Sequence, residues 1–129
     1  MTRFAGYAAV FDRVDRGGDV IRAGAFRPLA AAVPLLWQHD RRRPAGTIEL
    51  LGEDGRGLRV IARIGPGITV TEGTGLSFGY RVRAARRMPG TGQRVRELLA
   101  LELVEISLVT HPMQPLARVH AVEDQAAAG

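Results

Sequence analysis

The chain contains two serines and three histidines, so every possible Ser–His pair can be weighed in turn. Ser77 stands in Gly75-Leu76-Ser77-Phe78-Gly79-Tyr80, flanked by apolar residues and bracketed by glycines. Glycine lets another backbone approach closely, and apolar neighbours anchor the segment in a core. A nucleophilic hydroxyl needs such surroundings and an ordinary exposed one does not. If Leu76–Val82 is extended, Ser77, Gly79 and Arg81 share one face, and Leu76, Phe78, Tyr80 and Val82 share the other. The second face packs. The first either lines a cleft or faces solvent.

His39 follows Trp37 by two residues, in Trp37-Gln38-His39-Asp40. On a strand end both point to the same side, and the indole limits the rotamers of the imidazole and partly desolvates it. A general base needs that fixed geometry and a pKa near neutrality. The plainer alternative is a histidine that caps a loop. Asp40 alternates away from His39 and is a poor orienter. Glu105 is the one carboxylate in Leu103-Val104-Glu105-Ile106-Ser107-Leu108-Val109, a strongly β-forming run. Alternation sets Glu105 and Ser107 against Val104, Ile106 and Leu108. Glu105 is then exposed on a half-solvated strand or buried against a partner, because an unpaired buried charge is expensive. A histidine partner would be oriented by it, and its imidazolium stabilised.

His111, before Pro112 in a loop, and His120, near the end of the chain, are weaker candidates. With no cysteine and no closely spaced carboxylates beside the histidines, no metal or other cofactor is expected. Gly75-Leu76-Ser77-Phe78-Gly79 also matches the G-x-S-x-G elbow of α/β-hydrolases. That motif belongs between a strand and a helix. Here Tyr80-Arg81-Val82-Arg83 continues as a strand, and the match is read as accidental.

The elements that must position these residues are mostly strands. Strand patterns occupy Phe4–Phe11, Asp19–Ile21, Thr47–Leu51, Leu58–Ile64 and Leu76–Val82, and Arg94–Thr110 forms two strands or one bent strand. Gly52-Glu53-Asp54-Gly55 reads as a hairpin turn and Met88–Gly92 as another. Alanine-rich Ala25–Ala32 has helical propensity, provided Pro28 lies in the first turn. Ile64–Thr74 is rich in Gly, Pro and Thr and fits no element. Many short strands with few helices indicate a mainly β protein, a barrel or a sandwich. One domain over residues 1–122 is expected, with 123–129 as a flexible tail.

The net charge is +5, and all 18 basic residues are arginine. Such charge favours acidic partners. With few aromatic residues to stack bases, nucleic acid is not the expected partner. No apolar run approaches about 20 residues, so no membrane span is expected, and no signal peptide is evident. The cytoplasm, or a compartment assembled there, is the expected location.

In order, Gly6–Phe11, Gly17-Gly18-Asp19-Val20 with Gly24-Ala25-Phe26, Pro34–Asp40, Gly75–Tyr80 and Leu103–Thr110 resemble the prohead (capsid maturation) proteases of tailed bacteriophages and related gene transfer agents. The resemblance implies a serine endopeptidase with a fold like that of the herpesvirus assembly proteases: a small closed or partly open β-barrel with flanking helices. It implies Ser77 as nucleophile and His39 as general base. Glu105 is placed as third member of a Ser-His-acid triad, with His111 as the alternative orienter, since in the herpesvirus enzymes a second histidine takes that role. Arg81 is a candidate helper for backbone oxyanion donors. The implied partners are the major capsid protein or its scaffold segment, with self-association, inside a procapsid assembling in a bacterial cytoplasm. One departure stands out. Family members usually carry a helix between the strand around Val60 and the nucleophile strand, where this chain has only Gly65–Thr74. That motivates a second hypothesis, a non-catalytic assembly module that kept the fold.

Overall fold

The computed structural model describes residues 2–29, 32–88 and 95–124. Eight strands follow one another: Thr2–Val10 (β1), Asp19–Ile21 (β2), Leu35–Trp37 (β3), Asp40–Glu53 (β4), Gly57–Ile64 (β5), Gly75–Arg87 (β6), Arg96–Val109 (β7) and Val119–Asp124 (β8). They form one sheet in the order β2-β7-β3-β4-β5-β1-β8, with β6 also paired to β7. Strand β7 organises the site. Along one edge it carries the whole of β6, antiparallel. Its other edge takes two short parallel strands, β2 against Arg96–Leu98 and β3 against Ile106–Leu108.

The long C-terminal stretch is therefore one strand, and its irregularity matters. Gly79 pairs with Glu105 but Tyr80 pairs with Leu103, so Val104 is an extra residue, a β-bulge. Leu101 and Leu103 before the bulge, and Ile106 and Leu108 after it, all belong to the core. Simple alternation grouped Val104 with Ile106 and Leu108, whereas Val104 is only half-buried and lies outside that core. The extra residue reverses the alternation and sends Glu105 and Ser107 to the opposite face. The core itself is dominated by Phe4, Ile21, Phe26, Leu35, Leu58, Leu76, Leu98, Ile106 and Leu108, all essentially inaccessible. Val82 does not join Leu76, Phe78 and Tyr80 against it. It is 41% exposed, because β6 has by then run past the core.

Other expectations change as well. The sheet is open and does not close into a barrel. An isolated bridge, Gly75↔Arg118, and a bond from Leu76 N to Ala117 O (2.9 Å) touch the start of β6. Beyond them β6 becomes Arg81–Arg87, exposed throughout, with no apolar face for a closing strand to pack on. No helix occurs among the described residues, so none there is long and apolar enough to cross a membrane. In the described part of Ala25–Ala32, Pro28 disfavours a helical conformation at Arg27. Glu53 holds the preceding turn instead, accepting from Gly24 N at 2.7 Å and Phe26 N at 2.9 Å. The β4–β5 turn then falls at Asp54–Arg56, where Asp54 Oδ1 accepts from Arg56 N (2.8 Å) and Gly57 N (3.1 Å). Pairing in β8 runs on through Asp124, into the segment read as a tail. The expected turn at Met88–Gly92 lies, beyond Met88, outside the described residues, as do residues 125–129.

Candidate active site

Three strands set the floor of the site. Leu36 of β3 is level with Ser107 of β7, which is level with Ser77 of β6. Residues directly opposite one another point to the same face, with Cβ atoms about 4.5–5.5 Å apart across an antiparallel pair. One row along the β7 edge, Gly79 faces Glu105. A Cβ on Gly79 would stand 2.5 Å from Glu105 Oε1, so the missing side chain is the slot in which the carboxylate lies. Gly75 has a comparable role: a Cβ there would meet Val109 O at 2.7 Å and Pro112 Cδ at 2.8 Å. The glycines around Ser77 thus admit both a side chain and a backbone.

His39 arrives from the far side. Trp37 pairs with Asp40, and Gln38 and His39 between them have φ of 52° and 60°. Two consecutive left-handed residues are the φ signature of a type I′ hairpin turn, normally built from Asn-Gly. For residues with a Cβ this conformation costs roughly 1–2 kcal/mol each. The turn is held by its contacts with β7. Gln38 N donates to Leu108 O at 2.9 Å. The Gln38 side chain donates to Thr110 Oγ1 at 3.1 Å and accepts from Thr110 N at 3.3 Å. His39 N donates to Ser107 Oγ at 3.1 Å. Strand alternation therefore does not extend to His39. Trp37 packs against the core while the turn carries the imidazole to Glu105.

The result is a closed hydrogen-bonded ring. His39 Nδ1 lies 2.5 Å from Glu105 Oε1, and Ser107 Oγ lies 2.6 Å from Glu105 Oε2. The serine oxygen already accepts the His39 amide, so its one proton goes to Oε2. Glu105 then acts as a pure acceptor, and Nδ1–H donates to Oε1. Glu105 and Ser107 are buried, whereas the His39 side chain is 44% exposed.

Of the sequence candidates, His39 and Glu105 are in contact. Ser77 lies on the neighbouring strand of the same face and is 8% exposed. No hydrogen bond joins its hydroxyl to His39, whose ring nitrogen Nδ1 is held by Glu105. Ser77 also borders a small cleft of about 40 Å³ beside Leu76, Phe78, Tyr80, Met113 and Gln114. Gln114 fixes one wall, bonding Val10 N at 2.7 Å and Val10 O at 2.9 Å. Asp40 accepts from Arg42 N at 2.9 Å and takes no part. His111 is exposed outside the ring, and His120 packs its ring on Tyr7 at 5.8 Å. Arg81 is exposed and lies 3.9 Å from Glu102. No group of three or more metal-ligating side chains gathers among the described residues.

Sequence reasoning missed Ser107, Gln38 and the slot at Gly79. The spacing Leu101, Leu103, Ile106, Leu108 was a visible sign of the bulge that creates the Glu105 face. Nothing in Gln38-His39 announces a left-handed turn.

A family model described as "Caudovirus prohead serine protease" matches residues 1–129. The chain belongs to the caudovirus prohead serine protease family. It is also similar to the "Prohead protease" of Enterobacteria phage HK97, with 32% identity over 93% of this chain. The chain spans 60% of the length of that relative. The family expectation drawn from the five sequence segments is thereby met, and the segments that carry it include the strands and the turn of the His39–Glu105 site.

Proposed function

We propose that this chain is a serine endopeptidase of phage-like head maturation, with Ser77 as nucleophile, His39 as general base and Glu105 as the carboxylate that orients His39. The observation that carries this reading is the short Nδ1–Glu105 contact. It ties the imidazole to the face of β7 on which Ser77 is the neighbour across from Ser107.

The chemistry is acyl transfer. His39 Nε2 takes the Ser77 proton as Oγ bonds to the peptide carbonyl carbon. The imidazolium is stabilised by Glu105. Collapse of the tetrahedral intermediate breaks the C–N bond, and His39 protonates the leaving amine. Water, deprotonated by His39, then attacks the acyl-enzyme and releases Ser77. A side-chain adjustment must bring Oγ to Nε2. Such bonds are often long before substrate binds and tighten with it.

The substrate is the scaffold segment of the major capsid protein, and the place is the interior of an assembling procapsid. Family membership and the similarity to a prohead protease support both. Self-association fits enclosure of many copies in one shell. Confinement gives a high effective concentration, so modest turnover suffices.

A second reading, the non-catalytic assembly module, is favoured by the lack of a Ser77–His39 hydrogen bond and by Gly65–Thr74. That interval contains no helix and lies as a coil with Val70 buried. Co-production with a scaffold-bearing capsid protein separates the two. Wild type should shorten the capsid protein, and Ser77→Ala should leave it intact. Cleavage by Ser77→Ala at the wild-type rate would overturn the mechanism. Intact capsid protein with wild type, in shells of normal form, would favour the module.

A further inference from the structure

We infer that Ser107 is a positioning residue of this site, the group that fixes the tautomer and the orientation of His39. The inference rests on the proposed roles of His39 and Ser77 for its kinetic consequence, but not for its structural content.

Ser107 is the least accessible polar residue of the site, at 0% exposure, so it is no nucleophile itself. Its hydroxyl is the one group that bonds His39 and Glu105 together. It accepts the backbone N–H of His39 at 3.1 Å and donates to Glu105 Oε2 at 2.6 Å. These bonds act on the same imidazole from two sides. The first pins the left-handed residue that carries the ring. The second directs the carboxylate so that Oε1 meets Nδ1. Both are needed because each partner is otherwise unfavourable. His39 at φ 60° is in the left-handed region, which is costly for a residue with a Cβ even though histidine enters it more often than most. A buried carboxylate oxygen left without a donor is costly. The register explains why no other residue can substitute. Ser107 is flanked in its row by Leu36, which has no polar group, and by Ser77, which bonds neither His39 nor Glu105, whose bonds go to each other and to Ser107.

Ser107→Ala should leave the His39 amide and Glu105 Oε2 unpaired. The ring then loses its single tautomer, and Nε2 is no longer held toward Ser77. The test joins ring ¹⁵N NMR of His39 with steady-state cleavage of a scaffold-derived peptide. Wild type should show the Nδ1–H tautomer and a slowly exchanging His39 amide. Ser107→Ala should show averaged ring shifts and a fast amide, with kcat down about tenfold to a hundredfold and KM little changed. Ser107→Thr, which keeps the hydroxyl, should restore both signatures. Wild-type ring shifts, amide protection and kcat in Ser107→Ala would overturn the inference. So would a fast-exchanging His39 amide in wild type, a result that holds even if the alanine variant fails to fold. If wild type cleaves nothing, the protease reading fails, but the NMR signatures still decide the role of Ser107.

Discussion

Glu105 reaches His39 only because position 79 has no side chain. A methyl there would have to displace the carboxylate oxygen from a contact at 2.5 Å. Gly79→Ala should therefore cost about 1–3 kcal/mol of stability, as overpacked sites do. It should also remove nearly all cleavage activity, because the displaced group is the proposed orienter. Urea denaturation and peptide cleavage measured together check this, and an alanine variant with wild-type turnover would contradict the slot. At this scale the sequence was readable where residue type decides chemistry. A lone carboxylate in an apolar β-run is either exposed or buried against a partner, and Glu105 is buried against His39. It was unreadable where geometry decides. Ser107 and Gln38 are ordinary residue types, and their roles exist only once a turn folds back onto β7.

Within the elements, the bulge at Val104 does what no single side chain can. It lets one strand place Leu101, Leu103, Ile106 and Leu108 in the core and still present Glu105 and Ser107 on the other face. Removing one residue from a strand moves every side chain beyond it to the opposite face. Deleting Val104 should therefore drive Glu105 and Ser107 inward and expose Ile106 and Leu108, and the chain should fail to fold. Val104→Ala, at a half-buried position, should cost about 1 kcal/mol or less. Circular dichroism with thermal melting separates the two, and a deletion variant that melts like wild type would refute the register. The two-three-two spacing of those apolar residues is visible in the sequence, so the bulge was legible in principle. The β3–β4 turn was not, because left-handed pairs are recognised by Asn or Gly and here the residues are Gln and His. The Ala25–Ala32 helix misled because alanine propensity was outweighed by Pro28 and by Glu53 capturing the turn amides.

For the whole molecule, β6 and β7 separate two functions. The site occupies one end. At the other, Glu97 is held between Arg86 and Arg22, the latter at 2.8 Å. Those guanidiniums, Arg86 first, hold its carboxyl below the usual range, and the Tyr7 hydroxyl does the same for Asp54. A carboxyl with a lowered folded-state pKa stabilises the fold above its unfolded value, and that stability is lost as pH falls. At the alkaline end, Tyr7 is raised by its bond to Asp54, and Tyr80 by burial and then by Asp19. Their contribution is complete below about pH 10 and declines above it. The melting temperature should drop between about pH 5 and pH 3. Glu97→Gln should melt lower at neutral pH and lose less across that window. An unchanged acid slope in Glu97→Gln would remove Glu97 from the account. The mainly β character was legible from composition and turn spacing. The open edge was not, because closure depends on whether β6 keeps an apolar face, and Arg81–Arg87 denies it one. Ser77, His39 and Glu105 together form the proposed reactive centre of this fold. Intact-mass analysis after fluorophosphonate treatment tests it most directly. One adduct per chain, mapped to Ser77 and nearly abolished in His39→Ala, is the predicted result. An unlabelled wild type, or a label on Ser77 that forms equally fast in His39→Ala, would contradict it.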